Sequence, residues 1–384
     1  MSPVIVGLSG GVDSAVAALL LVEQGLQVEG LFMSNWDEED AYCTQAQDYQ
    51  DARAVARVLG IPLHRANFAA DYRARVFEYF LAEHRAGRTP NPDVLCNREV
   101  KFGVALRHAR RLGAARFATG HYARLRPSED GVQLLKAVDG LKDQSYFLHA
   151  VQRADLAQAL MPIGEYTKDQ VRERARAARL PVYDKPDSTG ICFIGERPFR
   201  EFLRQYLDET PGRIETPDGA YLGTHCGLAF YTLGQRGGLG LGGRRDSEAS
   251  PWYVAAKDAA RNVLIVVQGH DHPLLYAREL WCEPLHWLIT PPSGARRCTV
   301  RVRHRHTDQP ALLELAADGS ARVMFDEPQR ALTPGQFAVA YDGALCLGGG
   351  VISAVGASAL HPGHTGTEAR APRQQQFVEL ARSR

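Results

Sequence analysis

The sequence predicts an α/β chain in which a doubly wound parallel sheet is followed by two smaller β-rich units. Apolar runs alternate with helical patterns over roughly the first 120 residues, and this βαβ rhythm is typical of a parallel sheet. Past Pro211, short apolar runs and glycine turns dominate, which indicates an all-β second half. A length of 384 residues suits two or three domains.

The elements of the parallel sheet follow one another in the first third of the chain. The predicted strands are 4–8, 28–33, 63–68 and 116–119, and the predicted helices between them are 14–24, 46–59 and 72–84. In a doubly wound sheet, ligands bind at the C-terminal ends of the strands. Met33 and Gly120 fall at such ends.

The second half shows helix starts first and strand signals later. Thr167-Lys-Asp-Gln170 has the pattern of a capping box, and a further helix is predicted over 198–206. The predicted strands are 221–225, 253–256, 262–267, 299–304 and 337–341, in two units divided near Tyr276. Basic and apolar residues alternate in 296–306, which predicts a basic strand face that a phosphate backbone would fit.

Composition narrows the class of protein. Charged residues make up 23% of the chain and apolar residues 45%, as in soluble globular proteins, and no apolar run is long enough to span a membrane. The first motif leaves no room for a leader peptide, so we expect a cytoplasmic protein. Seven cysteines without C-x-x-C spacing argue against a zinc site and a secreted disulfide framework.

A glycine-rich loop follows the first predicted strand and leads into the first predicted helix. The segment reads Val4-Ile-Val-Gly-Leu-Ser-Gly-Gly-Val-Asp-Ser14. Its adjacent glycines can adopt positive φ and let several backbone N–H groups converge on one anion. Ser9, Asp13 and Ser14 add polar side chains, and the helix dipole would point its positive end at the same place. This pattern predicts a phosphate cradle that a pyrophosphate would fit.

Two other known loops and a plain turn compete with the cradle. The same residues satisfy G-x-S-x-G, the nucleophile elbow of hydrolases, but an elbow needs a sheet and an oxyanion loop before it, and only six residues precede Gly7. The Walker loop is excluded because the chain contains no Gly-Lys dipeptide. An ordinary βα turn stays open from this segment alone.

Two cysteines lie in segments that favour chemistry. Thr89-Pro-Asn-Pro-Asp-Val-Leu-Cys-Asn97 places Cys96 near a helix N-terminus, which favours the thiolate, and Asp93 lies within proton-transfer reach on the same side. Cys192 follows a polar turn in Asp187-Ser-Thr-Gly-Ile-Cys-Phe-Ile194. From spacing alone another interpretation stays open, in which Asp93 is an N-cap and both cysteines are packing residues.

Together these segments resemble one known family. Ser9-Gly-Gly-Val-Asp-Ser14 is similar to the loop of the N-type ATP pyrophosphatases, which adenylate carbonyl or carboxyl groups. Within that group the chain resembles the bacterial tRNA-specific 2-thiouridylases over roughly residues 4–355. The motifs that carry the resemblance are Leu31-Phe-Met-Ser-Asn-Trp36, Thr89-Pro-Asn-Pro-Asp-Val-Leu-Cys-Asn97, Thr119-Gly-His-Tyr122, Lys142-Asp-Gln-Ser-Tyr-Phe-Leu148, Gly190-Ile-Cys-Phe-Ile-Gly-Glu196 and Tyr231-Thr-Leu-Gly-Gln-Arg236.

The resemblance implies roles for individual residues. Cys96 would be the nucleophile, Cys192 would carry a persulfide, and Asp93 would be the general acid or base. The ATP-binding residues would be Gly7, Leu8, Ser9, Gly10, Gly11, Val12, Asp13, Ser14, Met33 and Gly120. The tRNA-binding residues would be Asn91, Pro92 and Asp93 at the target uridine, with His121, Lys142, Asp143, Gln144, Arg303, His304 and Gln336 elsewhere. The family usually has Arg-Tyr at the position of Arg303-His304, which weakens the case for an aromatic contact there.

The resemblance also implies a domain order. An ATP-pyrophosphatase catalytic domain would occupy 1–208, a central β-rich domain that contacts tRNA 209–275, and a C-terminal β-barrel 276–360. The polar, arginine-rich stretch 361–384 is predicted to be a disordered tail.

The implied reaction is 2-thiolation of the wobble uridine, position 34, of tRNA. ATP would adenylate the C2 oxygen with loss of pyrophosphate, and sulfur from the persulfide would then displace AMP. Mg²⁺ would accompany ATP, with Asp13 as a candidate ligand and no tightly bound metal. A separate protein would donate the persulfide sulfur, and a Cys96–Cys192 disulfide could form during turnover.

Two other functions stay open at this point. The chain could be a related ATP pyrophosphatase with another substrate, such as an amide synthetase, an argininosuccinate synthetase or a different tRNA sulfurtransferase, but these would not need both cysteines. An RNA-binding module could hold ATP without chemistry.

Overall fold

A computed structural model describes residues 2–36, 45–187, 199–241 and 250–356. Cys192 and the tail predicted at 361–384 lie outside the described residues. Within the four described stretches, no helix is both long enough and apolar enough to cross a membrane.

The strands are numbered in chain order. They are β1 (Val4–Gly7), β2 (Val28–Ser34), β3 (Leu63–Asn67), β4 (Arg116–Ala118), β5 (Ala123–Ser128), β6 (Gly131–Lys136), β7 (Ala159–Leu160), β8 (Gly212–Glu215), β9 (Tyr221–His225), β10 (Trp252–Asp258), β11 (Val263–Gln268), β12 (Tyr276–Cys282), β13 (His286–Trp287), β14 (Ala295–Arg301), β15 (Gln309–Leu315), β16 (Ala321–Arg330), β17 (Phe337–Asp342) and β18 (Leu345–Val355).

Most helices lie in the first half of the chain. The longer ones are Val12–Glu23, Gln45–Leu59 and Lys168–Ala177; a second group runs through π-helical turns, as Ala69–Tyr72, Arg73–Phe77 and Glu78–Arg85, and again as Pro92–Leu95, Cys96–Ala105 and Leu106–Arg111. The short ones are Ser145–Leu148, Arg153–Leu156 and Phe199–Arg204, with 3₁₀ turns at Leu228–Phe230 and Pro273–Leu275.

The first sheet is parallel and doubly wound, as the sequence predicts. Its order is β3-β2-β1-β4-β7, and every neighbouring pair is parallel. Ile5, Leu31 and Phe117 have no exposed surface, since helices cover both faces of such a sheet. The strand order reverses between β1 and β4, so the loops after these two strands flank the crevice where ligands bind in this fold.

The second half forms two separate β structures. A mixed sheet has the order β10-β11-β8-β9. The strands β12-β16-β15-β14-β17-β18 form a circuit that the pairing of β12 with β18 closes, which makes a barrel without free edges in that circuit. The C-terminal barrel is therefore confirmed.

The parallel-sheet half and the barrel are joined by a hairpin that the sequence pattern did not reveal. β5 and β6 pair with each other, and Leu135 of β6 pairs with Leu345 of β18. The hairpin therefore carries the barrel's sheet across to the parallel domain.

The predicted strand at 299–304 is wrong at its C-terminal end. β14 stops at Arg301, and the bond from His306 N to Arg303 O closes a turn. The arginines before that turn do not form a free basic face, because each has a carboxylate partner within the protein. The pairs are Arg296 with Asp342, Arg297 with Asp326, and Arg301 with Asp143 and Asp308.

Candidate active site

The glycine-rich loop connects β1 to the helix Val12–Glu23, and this helix starts two residues earlier than predicted. Gly11 is extended and serves as the N-cap, and the first intrahelical bond runs from Ala15 N to Gly11 O. The N–H groups of Val12–Ser14 precede that bond, and these are the helix positions that bind anions. The loop therefore has the backbone geometry of a phosphate site.

Hydrogen bonds within the loop fix its shape. Ser9 N donates to Ser14 Oγ at 3.2 Å, and Ser14 Oγ donates to Gly11 O at 3.0 Å. Gly10 has a φ of +80°, in the left-handed region that favours glycine. A Cβ on Gly10 would also lie 2.3 Å from Asp48 O, so the neighbouring helix leaves no room for a side chain.

Met33 and Gly120 flank this loop from the two adjacent strands. Met33 Cε lies 3.3 Å from the position of a Cβ on Gly7, and a Cβ on Gly120 would lie 2.6 Å from Ser14 N. The sequence placed both residues at strand ends, and the structure brings both of them against the loop.

Asp13, in the first turn of the helix, is held by two side chains from distant segments. Lys168 Nζ lies 2.8 and 2.9 Å from its two carboxylate oxygens, and Tyr122 OH donates to Oδ1 at 2.8 Å. Burial and the neighbouring carboxylate raise the pKa of Tyr122, so its hydroxyl stays a donor. Asp13 is therefore a paired carboxylate.

A second lysine holds the other side of the loop. Lys185 Nζ donates to Gly10 O at 3.1 Å and pairs with the carboxylates of Asp48 and Asp51. The backbone of the loop is thus fixed to the helix Gln45–Leu59 through one ammonium group.

Asp187 gathers three cations beside the loop. Lys142 and Lys168 each lie 2.6 Å from one of its oxygens, and Arg172 lies at 3.1 Å. Burial alone would raise the pKa of Asp187, but the hydrogen bonds from Lys142 and Lys168 outweigh it and lower the pKa to about 2. Asp187 is the last described residue before the segment that contains Cys192.

Cys96 lies at the start of a π-helical segment and has 1% of its surface exposed. Asn91 is the N-cap, because its side chain accepts from Asp93 N at 3.2 Å, so the interpretation of Asp93 as the N-cap is wrong. Asn97 Nδ2 donates to Asp93 O at 2.9 Å, which fixes the same turn from the other side. Pro92 occupies the first helical turn, where its missing N–H costs nothing.

The two halves of the site meet at Gly120 and His121. Gly120 packs on the phosphate loop, while His121 Nε2 lies 3.4 Å from Nζ of Lys101, on the helical segment that Cys96 begins. His121 Nδ1 lies 2.8 Å from Thr119 Oγ1. Burial and Lys101 hold the pKa of His121 well below its usual range, so the ring is neutral and Nε2 can accept from the ammonium.

The other residues predicted to contact tRNA have partners within the protein. The Asp143 carboxylate accepts from Arg301 and Ser145, and its side chain is 1% exposed. Gln144 Oε1 accepts from Tyr122 N at 3.0 Å. Further contacts are Arg303 with Leu233 O, Ala331 O and Thr333 Oγ1, His304 Nε2 with Asp143 O, and Gln336 Nε2 with Thr89 O and Pro90 O.

Sequence reasoning did not identify Lys168 and Lys185 as residues of the site. The capping box places Lys168 at the start of a helix, and the structure confirms both capping bonds at Thr167. Nothing in that pattern indicates a partner 155 positions earlier in the chain. Lys185 likewise reaches a residue 175 positions away.

Three family models match the chain in succession. Residues 2–196 match a tRNA methyl transferase HUP domain, 200–268 a tRNA methyl transferase PRC-barrel domain, and 277–352 an aminomethyltransferase beta-barrel domain.

Whole-chain relatives carry a different activity in their names. A tRNA-specific 2-thiouridylase from Chromohalobacter salexigens is 57% identical over 91% of this chain and 92% of its own length. Those from Burkholderia thailandensis and Pseudomonas aeruginosa are 55% and 56% identical, over 91% of this chain and 93% and 94% of theirs. A solved 4-thiouridine synthetase–RNA complex with bound ATP matches 53% of this chain and 50% of its own at 18% identity and a TM-score of 0.35, too low to support an argument.

Proposed function

This chain belongs to the tRNA-specific 2-thiouridylase family, an enzyme family of ATP-dependent tRNA thiolation, and on that premise we propose how its residues divide the reaction. The loop Ser9–Ser14 binds the phosphates of ATP, and the segment Asn91–Cys96 receives the wobble uridine. The observation that carries the proposal is the junction at Gly120 and His121, where the loop and the Cys96 helix are held together.

The first half of the reaction activates an oxygen. The C2 oxygen of uridine attacks the α-phosphorus of ATP and pyrophosphate leaves, which converts a poor leaving group into AMP. The N–H groups of the first helical turn stabilise the charge that develops on the pyrophosphate. Met33 and Gly120 border the loop where the adenosine would lie.

The second half transfers sulfur. We propose that a donor protein loads a persulfide on Cys192. In one route the terminal sulfur attacks C2 and expels AMP, and Cys96 thiolate then attacks the Cys192 sulfur, which frees the 2-thiouridine and forms a Cys96–Cys192 disulfide. In the other route Cys96 thiolate first attacks the Cys192 sulfur, which forms the disulfide and releases hydrosulfide, and the hydrosulfide attacks C2 and expels AMP. Both routes end in the disulfide and require an external thiol reductant. Asp93 serves as the general acid or base.

Magnesium would enter as the MgATP substrate. Asp13 is the acidic side chain of the loop, and both of its oxygens already accept from Lys168. This arrangement fits a carboxylate that positions a cation beside the phosphates, rather than a ready-made metal site.

The residues predicted to contact tRNA divide into two groups by exposure. Lys142 and Gln144 are partly exposed and border the site, so we propose direct contacts with RNA. Asp143 is buried, and we propose that it acts by positioning Arg301 and the turn that carries Arg303 and His304.

The test is formation of 2-thiouridine. The protein is incubated with MgATP, a persulfide donor and unmodified tRNA, and the digested nucleosides are analysed by mass spectrometry. Wild type and Cys298→Ser should form 2-thiouridine at position 34, whereas Cys96→Ser and Cys192→Ser should not. Full activity of Cys96→Ser would remove its assigned role, and sulfur at another position would remove the assigned substrate.

A further inference from the structure

Lys168 occupies a position that the thiolation reaction leaves unassigned. We propose that Lys168 is a phosphate-binding residue of the ATP site, which exchanges its contact with Asp187 for a phosphate oxygen when ATP binds. This inference rests on the proposed role of the loop Ser9–Ser14.

The position of Lys168 is fixed by its backbone. It is the first residue of the helix Lys168–Ala177, whose N-cap Thr167 forms a complete capping box, and its own N–H donates to Asp139 Oδ2 at 2.9 Å. Its side chain is 10% exposed and spans from Asp187 to Asp13. The ammonium is therefore delivered to the phosphate loop by a rigid element.

The charge balance around the loop calls for such a group. A helix N-terminus supplies the equivalent of about half a positive charge, while a triphosphate carries several negative charges. Desolvated phosphates need cations in direct contact. An ammonium has three donors, and it can donate to a phosphate oxygen in place of one of its two carboxylate partners.

The two carboxylates that share Lys168 are not equivalent. Asp13 belongs to the first turn of the loop helix and has Tyr122 as a second donor. Asp187 has Lys142 and Arg172 as additional partners, so it keeps two cations when Lys168 leaves. Asp187 is therefore the partner that can be exchanged, and Asp13 the one that keeps the ammonium beside the phosphates.

Equilibrium dialysis and calorimetry, without tRNA or sulfur donor, measure the binding of ATP and of inorganic pyrophosphate. These measurements test the inference. Charge-assisted hydrogen bonds contribute about 1.5–3 kcal/mol, so Lys168→Met should raise the dissociation constant of both ligands by about 10- to 100-fold. Adenosine affinity should stay within about twofold, and Lys168→Arg should recover part of the loss. The control is Arg174→Met on the same helix, where the Arg174 side chain forms an exposed pair with Glu23 and lies over the Tyr166 ring, away from the two carboxylates that hold Lys168.

A second variant keeps the inference testable if Lys168→Met does not fold. Asp187→Asn weakens the competing contact and should tighten ATP binding by about three- to fivefold. Unchanged ATP and pyrophosphate affinity in Lys168→Met, or weaker ATP binding in Asp187→Asn, would overturn the role of Lys168. Failure of the wild type to make 2-thiouridine would instead refute the proposed function, because these binding measurements do not depend on thiolation.

Discussion

Gln336, at the turn before β17, donates its side-chain amide to Thr89 O at 2.8 Å and to Pro90 O at 3.3 Å. These carbonyls immediately precede Asn91, the N-cap of the segment that carries Asp93 and Cys96. The same loop donates a second hydrogen bond to the barrel, from Thr89 N to Pro334 O at 3.0 Å. The barrel therefore holds in place the loop that we propose to bind the uridine.

Replacing Gln336 by Leu should slow thiolation without weakening ATP binding. The loop loses one of its anchors, and small misplacements of reacting groups reduce rates strongly, so kcat/KM for tRNA should fall by about 10- to 100-fold. Steady-state thiolation kinetics and ATP dialysis measure the two effects. Gln329→Leu is the matched control in the barrel, since Gln329 contacts Gln309 and Glu327. Equal losses in both variants would contradict a specific role for Gln336.

The pair Arg301–Asp143 should dominate the attachment of the barrel. Arg301 Nη1 lies 2.9 Å from Asp143 Oδ2, and the side chains are 9% and 1% exposed. Removing one partner of a buried pair costs about 3–5 kcal/mol. Asp308 still pairs with Arg301 in Asp143→Asn, so the free energy of unfolding should fall by the lower figure, about 3 kcal/mol. Urea unfolding measures this change in the free energy of unfolding.

The control for that pair lies on the surface of the same barrel. Arg296 and Asp342 are 30% and 63% exposed, and exposed pairs contribute little, so Asp342→Asn should cost less than about 1 kcal/mol. If both variants lost the same stability, burial would not explain the role of Asp143.

Gly120→Ala should damage the ATP site. The added Cβ would lie 2.6 Å from Ser14 N and 2.7 Å from the carbonyl carbon of Asp13, both backbone atoms of the phosphate-binding turn. The turn has to move, so we expect ATP to bind about tenfold more weakly and stability to fall by about 1–3 kcal/mol. Gly140→Ala is the control, because a Cβ there has no described atom within 4 Å. Wild-type ATP affinity in Gly120→Ala would exclude this close packing.

The sequence predicted the elements whose signals are local. The apolar runs of β1 to β4 alternate with helical patterns, so the parallel sheet and the position of its ligand loop followed directly. The attachment of the hairpin β5–β6 to the barrel could not be predicted, because it pairs Leu135 with Leu345, far along the chain. The same reason hid Lys168 and Lys185, since ion pairs between distant segments leave no periodic pattern.

The arginines in 296–306 do not form the free basic face that their spacing predicts, for a different physical reason. Spacing shows where arginines lie along a strand but not where the carboxylates lie. Arg301 is used internally by Asp143 and Asp308, and Arg303 by backbone carbonyls. Counting positive charge along a sequence therefore overestimates the surface offered to a phosphate backbone.

Two buried histidines should make the protein sensitive to acid. Burial lowers the pKa of His84 and of His149 to about 4 from the ordinary 6.5, and each ring places Nδ1 beside a backbone carbonyl, of Ala229 and Tyr146. Neither Nε2 has a hydrogen-bond partner among the described residues, so an added proton would be unpaired. Both rings are therefore neutral in the folded protein at pH 7.

The direction of the pH dependence follows from the lowered pKa values of His84 and His149. The unfolded chain takes up protons below pH 6.5 that the folded chain accepts only near pH 4, so the stability that each neutral ring provides is complete above 6.5 and is lost as the pH falls from 6.5 to 4. At pH 5 the loss is about 2 kcal/mol for each histidine. The stability that Asp187 provides, with its pKa of about 2, is complete above its ordinary 3.8 and is lost as the pH falls from 3.8 to 2.

Urea unfolding at pH 7 and pH 5 should separate this effect from general acid sensitivity. His149→Asn retains a side-chain donor for Tyr146 O but cannot take up a proton, so its loss of stability between the two pH values should be about 2 kcal/mol smaller than in wild type. His270→Asn removes a histidine whose side chain is 60% exposed, and it should show the wild-type difference. The other buried histidines add to the total in all three proteins and cancel in the comparison. A His149→Asn protein as acid-sensitive as wild type would show that this ring does not resist protonation in the fold.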